Sequence, residues 1–256
     1  AKAYLSLNNT DLAEYFCSEA LKIDKNNDET KKTFALISFR KLDFKTAWKY
    51  FDGRLGLSDF ENRNESLVYV KNKLFKKSIL DSKSKILILR EQGVGDEILY
   101  GSMYGDLLET NQNVTIECDE RLISLFQYSF NQNHKHKFIN LGSISNHKVK
   151  LKNYDFVLYA GSLGKFFRND INLFPTTSYL DVEQKFINET KNKVAKLKNR
   201  FNIGISWKSF KNRYAREKSL ELKELINIFE TSNCNFINIQ YGDVKEEINN
   251  FCSKYN

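Results

Sequence analysis

The residue best placed to do chemistry is Asp96. It follows the turn Gly93-Val94-Gly95 and precedes an apolar series at helical spacing, Ile98, Leu99, Met103, Leu107 and Leu108. A carboxylate there has two uses. It can cap the first turn of a helix, whose N–H groups lack partners, or it can act as a general base toward a substrate hydroxyl brought to the turn. Spacing alone leaves both open. Glu91 and Gln92 lead into the glycines, which permit positive φ and close approach of a ligand to the backbone. The pattern is not G-x-G-x-x-G, because Ile98 stands where the third glycine would fall, and no Gly-Lys-Ser/Thr follows to make a P-loop. A second small-residue turn is Gly161-Ser162-Leu163-Gly164. Further on, Trp207-Lys208-Ser209 leads into a basic loop from Phe210 to Glu217, and Lys218-Ser219 precedes a helix expected over 220–230.

Each of these turns needs a strand to deliver it. Ile86, Leu87, Ile88 and Leu89 form an unbroken apolar run, the pattern of a strand buried on both faces. Strand, glycine turn and helix make one unit of an open α/β sheet, where ligands sit outside the carboxyl ends of the strands. VTIEC (114–118), Lys137 to Leu141 and YDFVLYA (154–160) read as further strands, with a helix over 122–130. FNIGIS (201–206) and Asn235 to Ile239 read as strands of a second α/β unit. Two strands do not complete such a sheet, so the chain is expected to be cut short within that unit.

With 41% hydrophobic and 14% aromatic residues, 256 residues suffice for one large or two smaller cores. The net charge of +8 is carried mostly by dispersed lysines, and no motif that reads DNA or RNA appears, so nucleic acid is not expected as a partner. Cys17, Cys118, Cys234 and Cys252 are far apart and form no C-x-x-C pair, which argues for reduced cytosolic thiols over a disulfide framework or a zinc site. His134 and His136 share a polar loop, with His147 nearby, and are not expected to hold a metal. No apolar run has transmembrane length and no signal peptide is visible. A cytoplasmic location is expected, with at most peripheral contact at the inner face of a membrane.

Residues 1–57 are helical and repeat with a shift of 34. Ala1 meets Ala35, Leu5 meets Phe39, Ala13 meets Ala47, Cys17 meets Phe51, and Leu21 meets Leu55. That is the period of tetratricopeptide repeats, and further repeats are expected upstream. Such a segment offers either a groove for a protein partner or a cap on the next domain. Residues 58–83 are polar and read as a linker, and 184–200 as a lysine-rich connector helix.

The ordered set EQGVGD (91–96), SLG (162–164), PTTSYL (175–180), IGISW (203–207), KSL (218–220) and NIQYGD (238–243), behind the repeats, resembles a known family. It is similar to tetratricopeptide-repeat proteins carrying a module like the ADP-heptose heptosyltransferases, glycosyltransferase family 9. The resemblance implies a GT-B fold of two Rossmann-like domains. Residues 84–183 would be the acceptor-side domain and 201–256 the start of the nucleotide-sugar domain. It implies inverting, metal-independent transfer of a sugar from a nucleotide-diphosphate donor to a glycan, lipid or protein hydroxyl, without a cofactor. Asp96 matches the catalytic aspartate and Lys218 the phosphate-binding lysine, with Ser219 beside it, while Lys208, Arg213 and Arg216 would be either helpers there or surface charge. Glu91, Gln92, Gly93, Gly95, Gly161 and Ser162 would line the substrate loops. The alternative is a non-catalytic repeat scaffold that binds protein partners. A Rossmann dehydrogenase is disfavoured by the missing third glycine.

Overall fold

Capping residues set the N-terminal helices. In the computed structural model, which describes residues 1–57, 84–110, 113–130, 137–140, 151, 153–197, 200–210 and 218–255, the chain opens with α1 (Lys2–Ser6), α2 (Thr10–Ile23), α3 (Asp28–Arg40) and α4 (Phe44–Phe51). The side chains of Asn9, Asn27 and Asp43 accept hydrogen bonds from the backbone N–H of Leu12, Thr30 and Thr46, satisfying one orphan donor at each of three helix starts. The expected linker at 58–83 and the three histidines lie outside the described residues.

The 34-residue period is visible in the backbone itself. Asn8 and Leu42, one period apart, both take φ of 59°. Each turn closes with the same pair of bonds. Asn9 N–H reaches Tyr4 O at 2.8 Å and Asn8 N–H reaches Leu5 O at 3.1 Å. One period on, Asp43 N–H reaches Ser38 O at 2.9 Å and Leu42 N–H reaches Phe39 O at 3.1 Å. This is the Schellman ending, in which a left-handed residue turns the chain back on its helix. Small residues at the equivalent positions Ala13 and Ala47 are both fully buried, where helices approach closely.

The chain divides into two compact units, Ala1–Val182 and Glu183–Asn256. The first holds a four-stranded parallel sheet of β1 (Ile86–Leu89), β2 (Val114–Glu117), β3 (Lys137–Ile139) and β4 (Phe156–Tyr159), in the order β3-β2-β1-β4. Every residue of β1 is buried, each worth about 1.5–3 kcal/mol as transferred apolar surface. After β1 come α5 (Val94–Gly101) and α6 (Tyr104–Thr110), and after β2 comes α7 (Glu120–Phe130). The sheet grows from β1 through β2 to β3, then returns to place β4 on the other side of β1. The direction of winding therefore reverses at the β1/β4 border.

Residues 1–57 share their core with this sheet. Trp48 and Phe51 join Ile86, Ile88 and Ile116 on one face, and Leu55 joins Leu87, Leu89 and Tyr159 on the other. The Trp48 indole N–H donates to Arg168 O at 2.6 Å. The helical segment and the α/β sheet are thus one folding body, because the aromatic end of α4 and the 3-10 turn after it (Asp52–Gly56) supply apolar surface that the sheet needs.

In the second unit, α9 (Gln184–Val194) follows a short α8 (Gly164–Phe167) of the first unit and buries no residue. The strands β5 (Phe201–Ile205) and β6 (Cys234–Asn238) pair in parallel. They pack on α10 (Ile226–Phe229) and α11 (Lys245–Tyr255) through Trp207, Leu222, Leu225 and Val244. The helix expected over 220–230 is instead a 3-10 turn (Leu222–Leu225) running into α10. Glu221 N–H bonds the Glu224 carboxylate at 2.7 Å, so the helical start moves to Leu222 and away from Ser219.

Candidate functional site

β1 delivers its turn to the carboxyl edge of the sheet, with Asp96 in the first turn of α5. The Asp96 Oδ2 accepts the Gly93 N–H at 3.1 Å, which makes it a helix cap. Among the described residues nothing hydrogen-bonds its second oxygen, and the side chain is half-buried. Capping therefore occupies one oxygen and leaves the other without a hydrogen-bond partner among the described residues. A Cβ placed on Gly95 would meet nothing within 4 Å, so open space borders the helix start.

The left-handed residue of the turn is Gln92, at φ 61°, and not a glycine. Gly93 is extended, at φ −112° and ψ 174°. The glycines of this turn are thus not needed for positive φ, and Gln92 is exposed.

Glu91 is turned into the protein. It is fully buried and both its oxygens are occupied. Arg54 Nε donates to Oε2 and Arg54 Nη2 to Oε1, each at 2.7 Å, and the Gly161 N–H donates to Oε1 at 2.6 Å. Arg54 is 1% exposed, and its remaining donors go to Phe51 O, Asp52 Oδ1 and Ser162 Oγ. Ser162 Oγ in turn donates to Asp52 Oδ1 at 2.7 Å, and Lys165 Nζ reaches Asp52 Oδ2 at 2.7 Å. Glu91, Gly161 and Ser162, expected in the substrate loops, are therefore members of a buried polar node. Burial pulls the Arg54 pKa down, but the Glu91 charge and hydrogen bonds more than reverse that and leave it above its ordinary value. Removing one partner of such a pair costs about 3–5 kcal/mol, because the other charge is left buried alone.

A second charged cluster lies beside it. Glu97 is 2% exposed, and its Oε2 accepts the Asp119 N–H at 2.7 Å. Arg90 Nη1 lies 3.6 Å from Glu97 and 3.2 Å from Asp119. Burial pushes the Glu97 carboxyl up despite that hydrogen bond and the Arg90 charge. The Asp119 carboxyl is held well below the usual range, first by its hydrogen bond from Arg121. Cys118, buried next to these carboxylates, has its thiol pushed up to about 12, chiefly by burial, which leaves it unreactive.

In the second unit, Gln240 organises the residues after both strands. Its Oε1 accepts from Ser206 Oγ, Trp207 N and Lys208 N, and its Nε2 donates to Lys208 O and Tyr241 O. Lys208 Nζ pairs with Glu247, which also accepts from Trp207 Nε1 at 3.0 Å. Burial raises the Glu247 carboxyl, but the bonds from Lys208 and Trp207 outweigh it and bring it below its usual value. Lys208, Asp243, Lys245, Glu247 and Asn250 line an open hollow of about 830 Å³ at the start of α11. Ser219 Oγ accepts the Ser209 N–H at 3.0 Å, and Lys218 is exposed beside it. Arg213 and Arg216 lie outside the described residues.

No protein-family model matches the chain, and no solved structure matches it. Over 175 residues the chain is 27% identical to Protein FlbA of Caulobacter vibrioides, covering 64% of this chain and 29% of that protein. The chain thus spans less than a third of that relative's length.

Among the described residues no group of three or more His, Cys, Asp or Glu side chains is arranged to hold a metal ion, and no helix is long and apolar enough to cross a membrane. Sequence reasoning passed over Arg54, Trp48 and Glu97, and quoted Gln240 only as part of NIQYGD, without a role. Only Arg54 carried a local signal, a charge among Phe51, Leu55 and Leu57 where an apolar residue would continue the pattern.

Proposed function

We propose that this chain carries the acceptor-side unit, and the beginning of the nucleotide-sugar unit, of a metal-independent inverting glycosyltransferase of the GT-B type, akin to the ADP-heptose heptosyltransferases. The observation that carries this reading is the Asp96 carboxylate at the carboxyl edge of a parallel sheet, with one oxygen uncommitted and open space at Gly95 beside it. Asp96 takes the proton from the acceptor hydroxyl as the oxygen attacks the anomeric carbon. The bond to the donor's diphosphate breaks on the opposite face, and the configuration inverts. Lys218, with Ser219 beside it, stabilises the departing diphosphate by charge and hydrogen bonding, and Lys208 helps on leaving its pairing with Glu247. The proposed acceptor is a glycan, lipid or protein hydroxyl, and the proposed location is the cytoplasm, with at most peripheral contact at a membrane.

The test is calorimetric titration of ADP-, GDP- and UDP-sugars into the full-length protein and its Asp96→Asn variant, with turnover followed in parallel. One donor should bind both with similar affinity, while the variant loses about 10²–10⁴ in rate. Absence of binding by every nucleotide sugar would overturn the reading. A non-catalytic tetratricopeptide-like scaffold would then stand. It is favoured by the recurrence of one turn geometry at 34 residues and by the exposed Leu12, Tyr15 and Phe16 on α2.

A further inference from the structure

In an open parallel sheet the ligand crevice lies outside the strand ends at the border where the winding reverses. Here that border runs between β1 and β4. The loops that flank it, after Leu89 and after Tyr159, carry Glu91 and Gly161-Ser162. Between these loops sits the Arg54 guanidinium, which belongs to the N-terminal helical segment. A guanidinium has five N–H donors, and all five of Arg54 are in use: one on Glu91 Oε2, two on Phe51 O and Asp52 Oδ1, and two on Glu91 Oε1 and Ser162 Oγ. None remains to meet an anion, so this arginine is not a ligand-binding group.

Its effect reaches Asp96 through a short run of backbone. Glu91 is fixed by Arg54 and by the Gly161 N–H. Gln92 follows in the left-handed region at φ 61°, a conformation that residues other than glycine keep only when the surroundings enforce it. Gly93 comes next, with its N–H on the Asp96 carboxylate. The turn is thus pinned at both ends, by Arg54 upstream and by Asp96 downstream.

We propose that Arg54 is a positioning residue. Through Glu91 and Ser162 it holds the loops after β1 and β4, and with them the helix start that presents Asp96, so that the helical segment is a working part of the candidate site. The catalytic role of Asp96 rests on the glycosyltransferase reading, whereas the mechanical link does not.

The experiment is native-state hydrogen exchange on the full-length protein and on Arg54→Met/Glu91→Met. The double variant removes both charges together, so no unpaired ion is left buried, yet the loops lose their tie to residues 52–54. Amides of Gln92 to Glu97 and Gly161 should exchange at least ~10-fold faster, while those of Val114 to Glu117 stay within ~2-fold of the parent. In turnover assays kcat should fall with donor affinity unchanged. If the double variant fails to fold, Arg54→Lys carries the test. It keeps the charge but cannot fork onto both Glu91 oxygens, and the same amides should again be selectively faster. Unchanged loop exchange in a folded variant, or a rise spread evenly over the sheet, would overturn the proposal. Selective loop exchange in a protein that binds no nucleotide sugar would uphold the link and reject the glycosyltransferase reading.

Discussion

Gly164 is a position where the first unit has no room for one added methyl group. A Cβ there would fall inside the Trp48 indole, against Cζ2, Cε2 and Cη2. The ring has little room to retreat. It is 8% exposed, packs edge-on against Phe39 and Phe51 at centroid distances of 4.7 and 5.3 Å, and is tethered by the bond from its N–H to Arg168 O. Overpacking a core of this kind costs about 1–3 kcal/mol, and loss of the indole hydrogen bond adds about 1 kcal/mol. Gly164→Ala should therefore destabilise the unit by about 3 kcal/mol, a fall in Tm of about 6–12 °C at this size. The assay is denaturation followed by tryptophan emission in a Trp207→Phe background, where Trp48 is the sole indole. Emission in the folded state should shift to the red as the ring is pushed toward water. Combined with Trp48→Leu, the cost should be much less than additive, since the clash is then absent. A change below about 1 kcal/mol with unmoved emission would refute the reasoning, because α4 would then be able to slide on the sheet at little cost.

Two other outcomes follow from single residues. Leu42 is 64% exposed and holds φ 59°, so Leu42→Gly should stabilise the protein by about 0.5–1 kcal/mol, read from the denaturation midpoint, and a loss would show that the side chain packs usefully. The folded-state pKa of Glu97 lies above its ordinary 4.5, so the folded protein binds the extra proton and this group's contribution is complete below that value and lost as pH rises through the raised one. Glu97→Gln, which keeps an acceptor for the Asp119 N–H, should raise Tm at neutral pH, with the gain vanishing toward about pH 4, and an equal gain at both pH values would contradict the assignment.

What was legible in the chain was local. The apolar run Ile86–Leu89 and the change to helical spacing after Asp96 specify a buried strand and a helix because each pattern matches one geometry. The shift of 34 was readable because small residues recur where helices touch. The Arg54–Glu91 pair was not, since its partners are 37 positions apart and the break that Arg54 makes in the apolar pattern does not say which residue it meets. The turn at Gln92 misled because glycine is the usual left-handed residue, and here the residues on either side, Glu91 and Gly93, are the ones held by hydrogen bonds. The helix start near residue 220 moved because Glu221 and Glu224 cap each other, a pairing that outweighed the apolar pattern.

Gln240 has a consequence for how much a single position can be asked to do. It must reach three donors with one oxygen and two acceptors with one nitrogen. Glutamate would match the oxygen and repel the two carbonyls, asparagine would fall a methylene short, and any apolar side chain would strand the backbone of two loops at once. Size, polarity and direction are all specified there together, so the position has almost no synonyms. The tips of β5 and β6 are spelled by one letter.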